Sequence, residues 1–391
     1  MPNVGTKLSI LNGKLSVPNR PILGFIEGDG CNSSINCLDF VEIRDDGSAG
    51  DGGHNVLFVA ANAGARFTLR NSTVEIDAEG GSADGRVSFF GSNSLVENCT
   101  FRRNDFNGNP NVMVGDLAGG TIFRNSALGP KNDGSPIALT FDGDNAEQSS
   151  STVTFESCTV TGFPAGQRAM FNGDARRDVI MRDCTIDGRL SFEGDARSIG
   201  GTLTLERCTV GGGDGEAIFA GDNSGKVFNF TNCILLGGNN DQFAFSGSNG
   251  GPNRGNHTWN LTHCTVTPSA DFPRGNFRFL FLEGDNSTNL VQAATEVTLN
   301  NNIFANSGSG IAAVFDNEAT EAPVVTAGTN LWDGNVAAQD AGVGAGGTDL
   351  TGSAALDATG RLTVDSGVAE RPYQRPLTDK YTVPQVAHLY R

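Results

Sequence analysis

Two four-residue segments carry the side chains best suited to chemistry. Gly173-Asp-Ala-Arg176 and Gly194-Asp-Ala-Arg197 have the same sequence and lie 21 residues apart. If they occupy consecutive coils of a repeat protein, the two aspartates lie one above the other, and so do the two arginines. Similar Gly-Asp segments before and after them extend the acidic row. The candidate residues are Asp174, Arg176, Asp195 and Arg197, with Asp144 and Asp222 on the neighbouring coils.

A row of carboxylates at strand spacing needs a positive partner, because like charges on adjacent strands repel. The arginines of the same segments supply positive charge, and Ca²⁺, which takes several oxygen ligands, would supply it too. We interpret the row as a candidate calcium or sugar site, with Arg176 or Arg197 as a base if the protein is an enzyme. The metal ligands in this interpretation are Asp144, Asp174, Asp195 and Asp222. The alternative is a structural turn, in which an aspartate after glycine caps local amides.

The elements that position these residues come from a repeat that runs along most of the chain. Its clearest copy is Val153–Val160, VTFESCTV. When its cysteine is taken as a marker position, the copies follow one another at intervals of 24 to 38 residues. A fixed pattern with a variable spacer is typical of a solenoid in which each copy is one coil. The marker residues are Ser72, Cys99, Ser126, Cys158, Cys184, Cys208, Cys233, Cys264 and Asn302.

The spacing of apolar residues within each copy predicts two strands and a bend. Apolar residues lie five and three positions before the marker, as Val153 and Phe155 do, with the period of two that is typical of a strand. The marker and the residue two positions beyond it are again small or apolar. One straight strand cannot bury both sets, so a tight bend must fall at the two residues before the marker. Asparagine is frequent at the second of these, where it tolerates left-handed backbone and bonds locally or to the next coil. The pattern predicts an all-β, single-stranded right-handed parallel β-helix.

A second repeat lies between the markers and predicts another wall of the solenoid. We interpret it as an inward aromatic residue followed by a glycine turn. Stacked phenylalanines would then give the core a continuous aromatic column. The closest copies are Phe141–Asn145, Phe171–Ala175, Phe192–Ala196 and Phe219–Asn223, and the looser ones are Phe89–Asn93, Met113–Leu117, Phe245–Asn249 and Leu282–Asn286.

Six of the eight cysteines occupy the marker position. In a parallel stack their side chains point the same way about 4.8 Å apart, whereas a disulfide needs Cβ vectors that face each other. The pattern therefore predicts small, buried, free thiols. A chain of metal ions along them is the alternative, although no CxxC or histidine spacing supports zinc. Cys31 and Cys37 bracket a short loop and would pair if the protein is exported.

The charge of the chain limits its partners. The formal net charge is −17, with five lysines beside 22 arginines. This balance disfavours nucleic acid and anionic membranes and favours cations, neutral sugars or a basic protein surface, unless the charge only keeps the protein soluble. No apolar run approaches the ~18 residues of a membrane span, and no signal peptide is visible at the N-terminus. We expect no membrane insertion, and a leader that is absent or removed, or release by lysis.

Longer inserts between coils are candidate binding loops, because such loops cluster on one face of a solenoid. Two of them carry cationic side chains on an otherwise acidic protein. We predict a carbohydrate-binding spot there, with a solvated loop as the alternative. Its residues are Arg254, His257, Arg274 and Arg278.

The pattern divides the chain into an entry or capping segment (1–55), the β-helix (56–332) and a closing segment with an irregular tail (333–391). Thr329–Trp332 has the form of a last marker. Within the first segment, Leu11–Gly30 resembles the opening strand and turn of NADP-dependent isocitrate dehydrogenases, and the likeness covers about twenty residues. The substrate-binding residues of that family are missing, so the resemblance implies no activity. A β-helix entry coil explains Ile26–Asp29 equally well.

The Asn-Cys-Thr-Val corner and the coil length resemble the pectate-lyase-like superfamily of parallel β-helices over residues 56–332. That resemblance implies the fold, but the fold hosts lyases, glycoside hydrolases, tailspikes, adhesins and structural proteins. Family enzymes use an acidic calcium-binding groove with an Arg or Lys base, or paired aspartates, and the polygalacturonase-type motifs are absent here. We expect a structural or adhesive β-solenoid, extracellular, on a cell surface or on a virion, that self-associates into a filament or trimer. The alternatives are a polysaccharide lyase or hydrolase and a non-catalytic carbohydrate-binding module. Calcium is the one cofactor considered.

Overall fold

The structure is a computed structural model that describes residues 7–16, 34–44, 55–59, 67–76, 86–89, 95–103, 111–113, 121–131, 140–143, 152–161, 171–173, 178–188, 190–193, 201–211, 217–220, 226–237, 242–246, 257–268, 278–282, 296–305, 312–317, 324–333, 336–337 and 350–351. Within these residues every regular element is a strand, so the expected all-β class is confirmed. No helix in these ranges is long and apolar enough to cross a membrane.

The chain forms two compact units. The first unit comprises Met1–Thr185 with Glu193–Gly201, and the second comprises Ile186–Phe192 with Thr202–Arg391. The strands of the first unit are β1 (Lys7–Ser16), β2 (Ser34–Arg44), β3 (Asn55–Val59), β4 (Phe67–Arg70), β5 (Thr73–Ile76), β6 (Arg86–Phe89), β7 (Leu95–Glu97), β8 (Thr100–Arg103), β9 (Asn111–Met113), β10 (Thr121–Arg124), β11 (Ala127–Lys131), β12 (Thr140–Gly143), β13 (Thr152–Glu156), β14 (Thr159–Thr161), β15 (Phe171–Gly173) and β16 (Asp178–Arg182).

A further strand, β17 (Thr185–Asp187), includes the sequence boundary between the units. The strands that follow are β18 (Leu190–Glu193), β19 (Thr202–Glu206), β20 (Thr209–Gly211), β21 (Ile218–Ala220), β22 (Val227–Thr231), β23 (Ile234–Gly237), β24 (Gln242–Ser246), β25 (Thr258–Thr262), β26 (Thr265–Pro268), β27 (Arg278–Leu282), β28 (Glu296–Asn300), β29 (Ile303–Ala305), β30 (Ala312–Asn317), β31 (Val324–Ala327), β32 (Leu331–Asp333), β33 (Val336–Ala337) and β34 (Leu350–Thr351).

In the first unit the strands stack in parallel as three walls. The strands before each marker form the first wall, β4, β7, β10, β13 and β16. Those after each marker form the second wall, β5, β8, β11 and β14, and β3, β6, β9, β12 and β15 form the third. The long strand β2 pairs with both β4 and β5, and β1 pairs with β2. This stacking of successive coils is a parallel β-solenoid.

The second unit repeats the arrangement. Its first wall is β19, β22, β25, β28 and β31, and its second is β20, β23, β26, β29, β32 and β34. The third wall is β18, β21, β24, β27, β30 and β33. In both units the chain visits the walls in the same order, so residues one coil apart in sequence are neighbours in space, as the marker spacing predicts.

The bend lies where the apolar pattern predicts it. The residue directly before each of the nine predicted markers has left-handed backbone, with φ between 48° and 56°, although none is glycine. Asparagine tolerates this conformation best among non-glycine residues. Its amide also links coils, since Asn98 Nδ2 donates to Asn71 Oδ1 at 3.1 Å. The left-handed residues are Asn71, Asn98, Asn125, Ser157, Asp183, Arg207, Asn232, His263 and Asn301.

The marker side chains are buried and bond the backbone of the bend. Cys99 N–H donates to Ser126 Oγ at 3.1 Å, one coil further on. Cys99 Sγ donates to the Leu69 carbonyl of the preceding coil at 3.6 Å, and equivalent thiol–carbonyl contacts recur in both units. The marker therefore has to be small and able to form hydrogen bonds, which serine and asparagine also satisfy. The six marker cysteines are free thiols, so this prediction is confirmed. Cys37 lies in β2, opposite Ser9, and Cys31 lies outside the described residues, so their pairing stays a prediction.

The predicted alignment of the second repeat is wrong in part. Phe141 lies opposite Phe171, and Phe219 opposite Phe245, as expected. Phe192, however, lies opposite Ala220. Two looser copies are also displaced by one residue, because Met113 pairs with Ser88 and Leu282 with Ser246. The aromatic-glycine motif marks where the third wall lies, but strand register is set by the residues that are buried rather than by the motif.

The core of the second unit is rich in aromatic side chains. Trp259 stacks on Phe228 with ring centroids 4.0 Å apart, and Phe243 stacks on Phe279 at 5.8 Å. Phe230 joins these two pairs through an edge contact with Phe243 and a tilted contact with Trp259. The first unit has a smaller stack, Phe123 on Phe155 at 5.1 Å, among aliphatic residues and Met181. The stacked pair in the third wall of the second unit is Phe243 and Phe279, and neither belongs to the predicted aromatic-glycine motif, so the predicted column stays a prediction.

Candidate functional site

The predicted Asp/Arg row lies outside the described residues, as do two arginines of the predicted basic spot. The strands that lead into the row are described: Gly143 of β12 lies opposite Gly173 of β15. Further along this wall, Phe192 of β18 lies opposite Ala220 of β21, and Ser191 lies opposite Phe219. The residues that stay predictions are Asp144, Asp174, Arg176, Asp195, Arg197, Asp222, Arg254 and Arg274.

His257 is the one member of the predicted basic spot whose side chain the structure describes, and it is buried. Its imidazole is 1% exposed and packs edge-on against Phe228, with ring centroids 5.7 Å apart. Its carbonyl accepts a backbone hydrogen bond from Glu296. Placing this imidazole in a solvent-facing loop was therefore wrong, because His257 directly precedes β25 and turns into the core. Arg278 begins β27, opposite Gln242 and Ala313.

A charged column crosses the outer face of the first wall in the first unit. The residue two positions before each marker alternates between arginine and glutamate in successive coils. The pairings place these residues directly opposite one another, and ion pairs join each coil to the next at 2.8 to 3.9 Å. We call this set the charge column; its members are Arg70, Glu97, Arg124, Glu156 and Arg182.

Arg124 is the centre of the charge column. Its Nη2 lies 2.8 Å from Glu156 Oε2, while its Nη1 lies 3.6 Å from Glu97 Oε1 on the other side. The hydrogen bond and the charge of Glu156 raise the pKa of the Arg124 guanidinium above its ordinary value. The side chain is 40% exposed, so each pair contributes only a few tenths of a kcal/mol. The column is therefore better suited to selecting the register of the coils than to increasing stability.

The corresponding face of the second unit begins with Glu206 on β19, opposite Thr231, and is neutral from Thr231 onward. Thr231, Thr262 and Asn300 occupy the position two before the marker, opposite one another. Two residues earlier on the same strands, Asn260 Nδ2 donates to Asn229 Oδ1 at 2.8 Å, which forms an amide ladder between coils. These five threonine and asparagine side chains are half-buried. We call this set the neutral columns; it offers hydroxyl and amide groups in rows at strand spacing.

The corners of the second unit also carry a titratable group. His263 occupies the left-handed position, and its Nε2 lies 3.4 Å from Asn301 Nδ2 of the next coil. Burial lowers the pKa of this imidazole, because the charged form loses solvation. The pKa values of two marker thiols are raised instead. A hydrogen bond with Cys184 and burial raise the pKa of Cys158 in the first unit, and burial raises that of Cys233 in the second. These thiols stay protonated at neutral pH and are poor nucleophiles.

The charge column was readable from the sequence and was missed. Its signal is the alternation of arginine and glutamate at one fixed distance from the marker, from Arg70 to Arg182. An analysis of the apolar positions alone does not reveal this alternation.

Across the residues the structure describes, no group of three or more His, Cys, Asp and Glu side chains is placed to hold a metal ion.

Comparison of the chain with protein-family models, with curated proteins and with solved structures found no match.

Proposed function

We propose that this protein is a structural or adhesive β-solenoid, outside the cell or on a virion, which acts through repeated outer surfaces rather than through one catalytic centre. The observation that carries the proposal is that outward side chains are organised in columns, coil after coil. The charge column and the neutral columns both place like or complementary groups directly opposite one another.

The inside of each coil supports the same interpretation. The marker N–H groups and side chains are used in bonds between coils, as Cys264 N–H to Asn302 Oδ1 at 2.9 Å and Asn302 N–H to Asn330 Oδ1 at 2.9 Å illustrate. Both faces of the first wall therefore serve the stacking of neighbouring coils. A stack of coils bonded in this way is stiff, and a stiff stack suits a spacer, a fibre or an adhesive surface.

A non-catalytic carbohydrate-binding module is the second candidate, and the neutral columns favour it. Half-buried amide and hydroxyl groups at regular spacing match the hydroxyl groups of an extended neutral polysaccharide without a charge requirement. Asn229, Asn260 and Thr298 form adjacent positions of that face. On this account the acidic net charge of −17 directs the protein away from anionic polymers.

One experiment separates these functions from an enzymatic one. The purified chain is incubated with a panel of neutral and uronate-containing polysaccharides, with and without Ca²⁺. Product formation is followed by new reducing ends and by absorbance of unsaturated uronates, and binding by co-sedimentation. We expect no product. For a polysaccharide that binds, we expect the binding to fall at least tenfold in the Asn229→Ala/Asn260→Ala variant.

The control for the enzymatic alternative uses the predicted Asp/Arg row. Product that disappears in Asp174→Ala and Arg176→Ala, but persists in Asp178→Ala on the exposed start of β16, would overturn the structural proposal in favour of a lyase or hydrolase. Circular dichroism on each variant confirms that the fold is retained.

A further inference from the structure

The first wall of the second unit ends in a strand with a free edge. β31 pairs in parallel with β28 on one side, and no strand in the described part of the chain pairs with its other side. In the second wall, by contrast, β32 is followed by β34. The last described strands of the other two walls, β33 and β34, likewise pair on one side only, with β30 and β32. The first wall is therefore the one considered below.

Exposure confirms that this edge is open. Val324 is 56% exposed and is the one large hydrophobic side chain that is exposed among the described residues. The two inward positions of β31 are Val325 and Ala327, opposite Val297 and Leu299 of β28. Val297 and Leu299 are at most 1% exposed, whereas Val325 is only half-buried and Ala327 is exposed. The inward positions of β31 are thus less covered than those of β28.

The backbone groups that point to the free edge follow from the parallel ladder. In such a ladder the N–H and C=O of alternate residues point to the same neighbour. Glu296 N–H bonds His257 of the preceding coil, and Gly328 N–H bonds the Leu299 carbonyl. By this alternation Val324 and Thr326 bond β28, while the N–H and C=O groups of Val325 and Ala327 point away from it. These four groups need hydrogen-bond partners from outside β31.

The strand at the N-terminal end of the chain has the complementary edge. β1 pairs with β2 and with no other described strand. Through β2 and β4, Ile10 is in register with Leu38 and Leu69, the inward position three before the marker. Leu8 likewise takes the position five before it, through Ile35 and Phe67. The alternation then directs the N–H groups of Ser9 and Leu11 to the free side of β1.

We propose that β31 of one copy of this chain binds β1 of a second copy, in parallel and head to tail. Ser9 of the second copy aligns with Thr326, so its N–H and C=O meet the free groups of Val325 and Ala327. Leu8 and Ile10 take the register positions that continue the columns of Val325 and Ala327. Adjacent first-wall strands within the described part of the solenoid pair in this same way, in parallel and with inward positions opposite inward positions. An unpaired sheet edge is a template for such pairing.

A head-to-tail contact of this kind is heterologous, so it does not close on two copies and grows into a filament. The inference rests on the proposed structural role, since a filament is one way in which a solenoid acts by repetition. The test below measures assembly alone, whereas the polysaccharide assay measures product and binding, so failure of one is distinguishable from failure of the other.

The first test removes the free donor of β31. Ala327→Pro in the full-length chain eliminates the N–H that points away from β28 and leaves the ladder bonds to β28 in place, which is the setting in which strands tolerate proline. Sedimentation velocity over a hundredfold range of concentration, with negative-stain microscopy, measures assembly. We expect wild type and the control Ala327→Val to form linear oligomers and Ala327→Pro to stay monomeric, at equal far-ultraviolet circular dichroism. Assembly of Ala327→Pro at the wild-type concentration would overturn the proposal, and so would a monomeric wild type.

The second test identifies the partner edge. Ser9→Pro removes a donor from the free side of β1, with Ser9→Val as its control. We expect Ser9→Pro alone to be monomeric and an equimolar mixture of Ser9→Pro with Ala327→Pro to form dimers and nothing longer, because one intact edge of each kind remains. Dimers of Ser9→Pro alone would show that two β31 edges pair with each other, which would overturn the head-to-tail assignment. A mixture that stays monomeric would overturn it as well.

Discussion

The two units share one bend but specify the stacking of their coils differently. In the first unit the outward position two before the marker alternates in charge from Arg70 to Arg182, while the interior is largely aliphatic with one Phe123–Phe155 stack. In the second unit the same outward position holds Glu206 on the first strand and then threonine and asparagine, and the interior holds a cluster of aromatic rings around Trp259.

This difference indicates where each unit encodes its register. In the first unit, displacing the column by one coil would place arginine opposite arginine and glutamate opposite glutamate, which costs free energy at every pair. In the second unit the same displacement would cost little outside, because threonine and asparagine accept either neighbour. There the shapes of the interior rings distinguish the correct pairing, since Trp259 fits between Phe228 and Phe279.

The largest effect is expected from the interior of the second unit. Trp259→Ala removes a fully buried ring that stacks on Phe228 and meets Phe230 and Phe279. We expect a loss of about 4–5 kcal/mol in the free energy of unfolding, at the upper end for such truncations. Phe155→Ala in the first unit is the matched variant, with an expected loss of about 3–4 kcal/mol. Urea unfolding followed by circular dichroism measures both, and a larger loss for Phe155→Ala would contradict the comparison.

An intermediate effect is expected at the markers. Asn302 is fully buried; it accepts from Cys264 N–H and donates to the Leu261 carbonyl and to Asn330 Oδ1. Asn302→Ala leaves these groups unsatisfied, so we expect a loss of about 2–3 kcal/mol. Cys158→Ala breaks weaker thiol bonds and should cost about 1 kcal/mol.

Unfolding midpoints in urea check the marker prediction, with Asn302→Ser as the control that keeps a small hydrogen-bonding side chain. Recovery of part of the loss in the serine variant supports the bonding role. Equal losses for Asn302→Ala and Cys158→Ala would indicate that the marker is selected for size alone.

The smallest effect is expected on the outer faces. Arg124→Glu places three glutamates in succession in the charge column and should cost about 1 kcal/mol. Thr262→Glu introduces the same charge into the neutral columns, where it meets no like charge at the next position, and should cost less than about 0.5 kcal/mol. High salt should reduce the Arg124→Glu penalty by screening. A penalty that is equal at both sites, or insensitive to salt, would show that the charge column does not select register.

Much of the fold was predictable from sequence because the constraints are local to one coil. The phase of apolar residues around Cys158 and the asparagine before Cys99 fixed the bend, the burial of the marker and the walls on either side. Asn330, in the weak last copy, is fully buried and bonded to Asn302, as the marker position requires.

The third wall and the site were less predictable, for physical reasons. The third wall has no bend to set its phase, so Phe192 was aligned with Phe219. The register is instead the one in which buried Leu190 lies opposite buried Ile218, which places Phe192 opposite Ala220. His257 was assigned to a long insert between coils, but the position seven before a marker turns inward. Lys226, at the same position one coil earlier, is also only 6% exposed. The charge column required reading the outward positions, which apolar periodicity ignores.

The alternation from Arg70 to Arg182 has a consequence for how such a chain can lengthen during evolution. Duplicating or deleting a single coil of the first unit would bring two arginines or two glutamates together, so its gene segment should change by an even number of coils. The second unit carries no such parity rule, and one coil of its gene can be copied without penalty on that face. Natural variants should therefore differ by single coils in the second unit and by pairs of coils in the first.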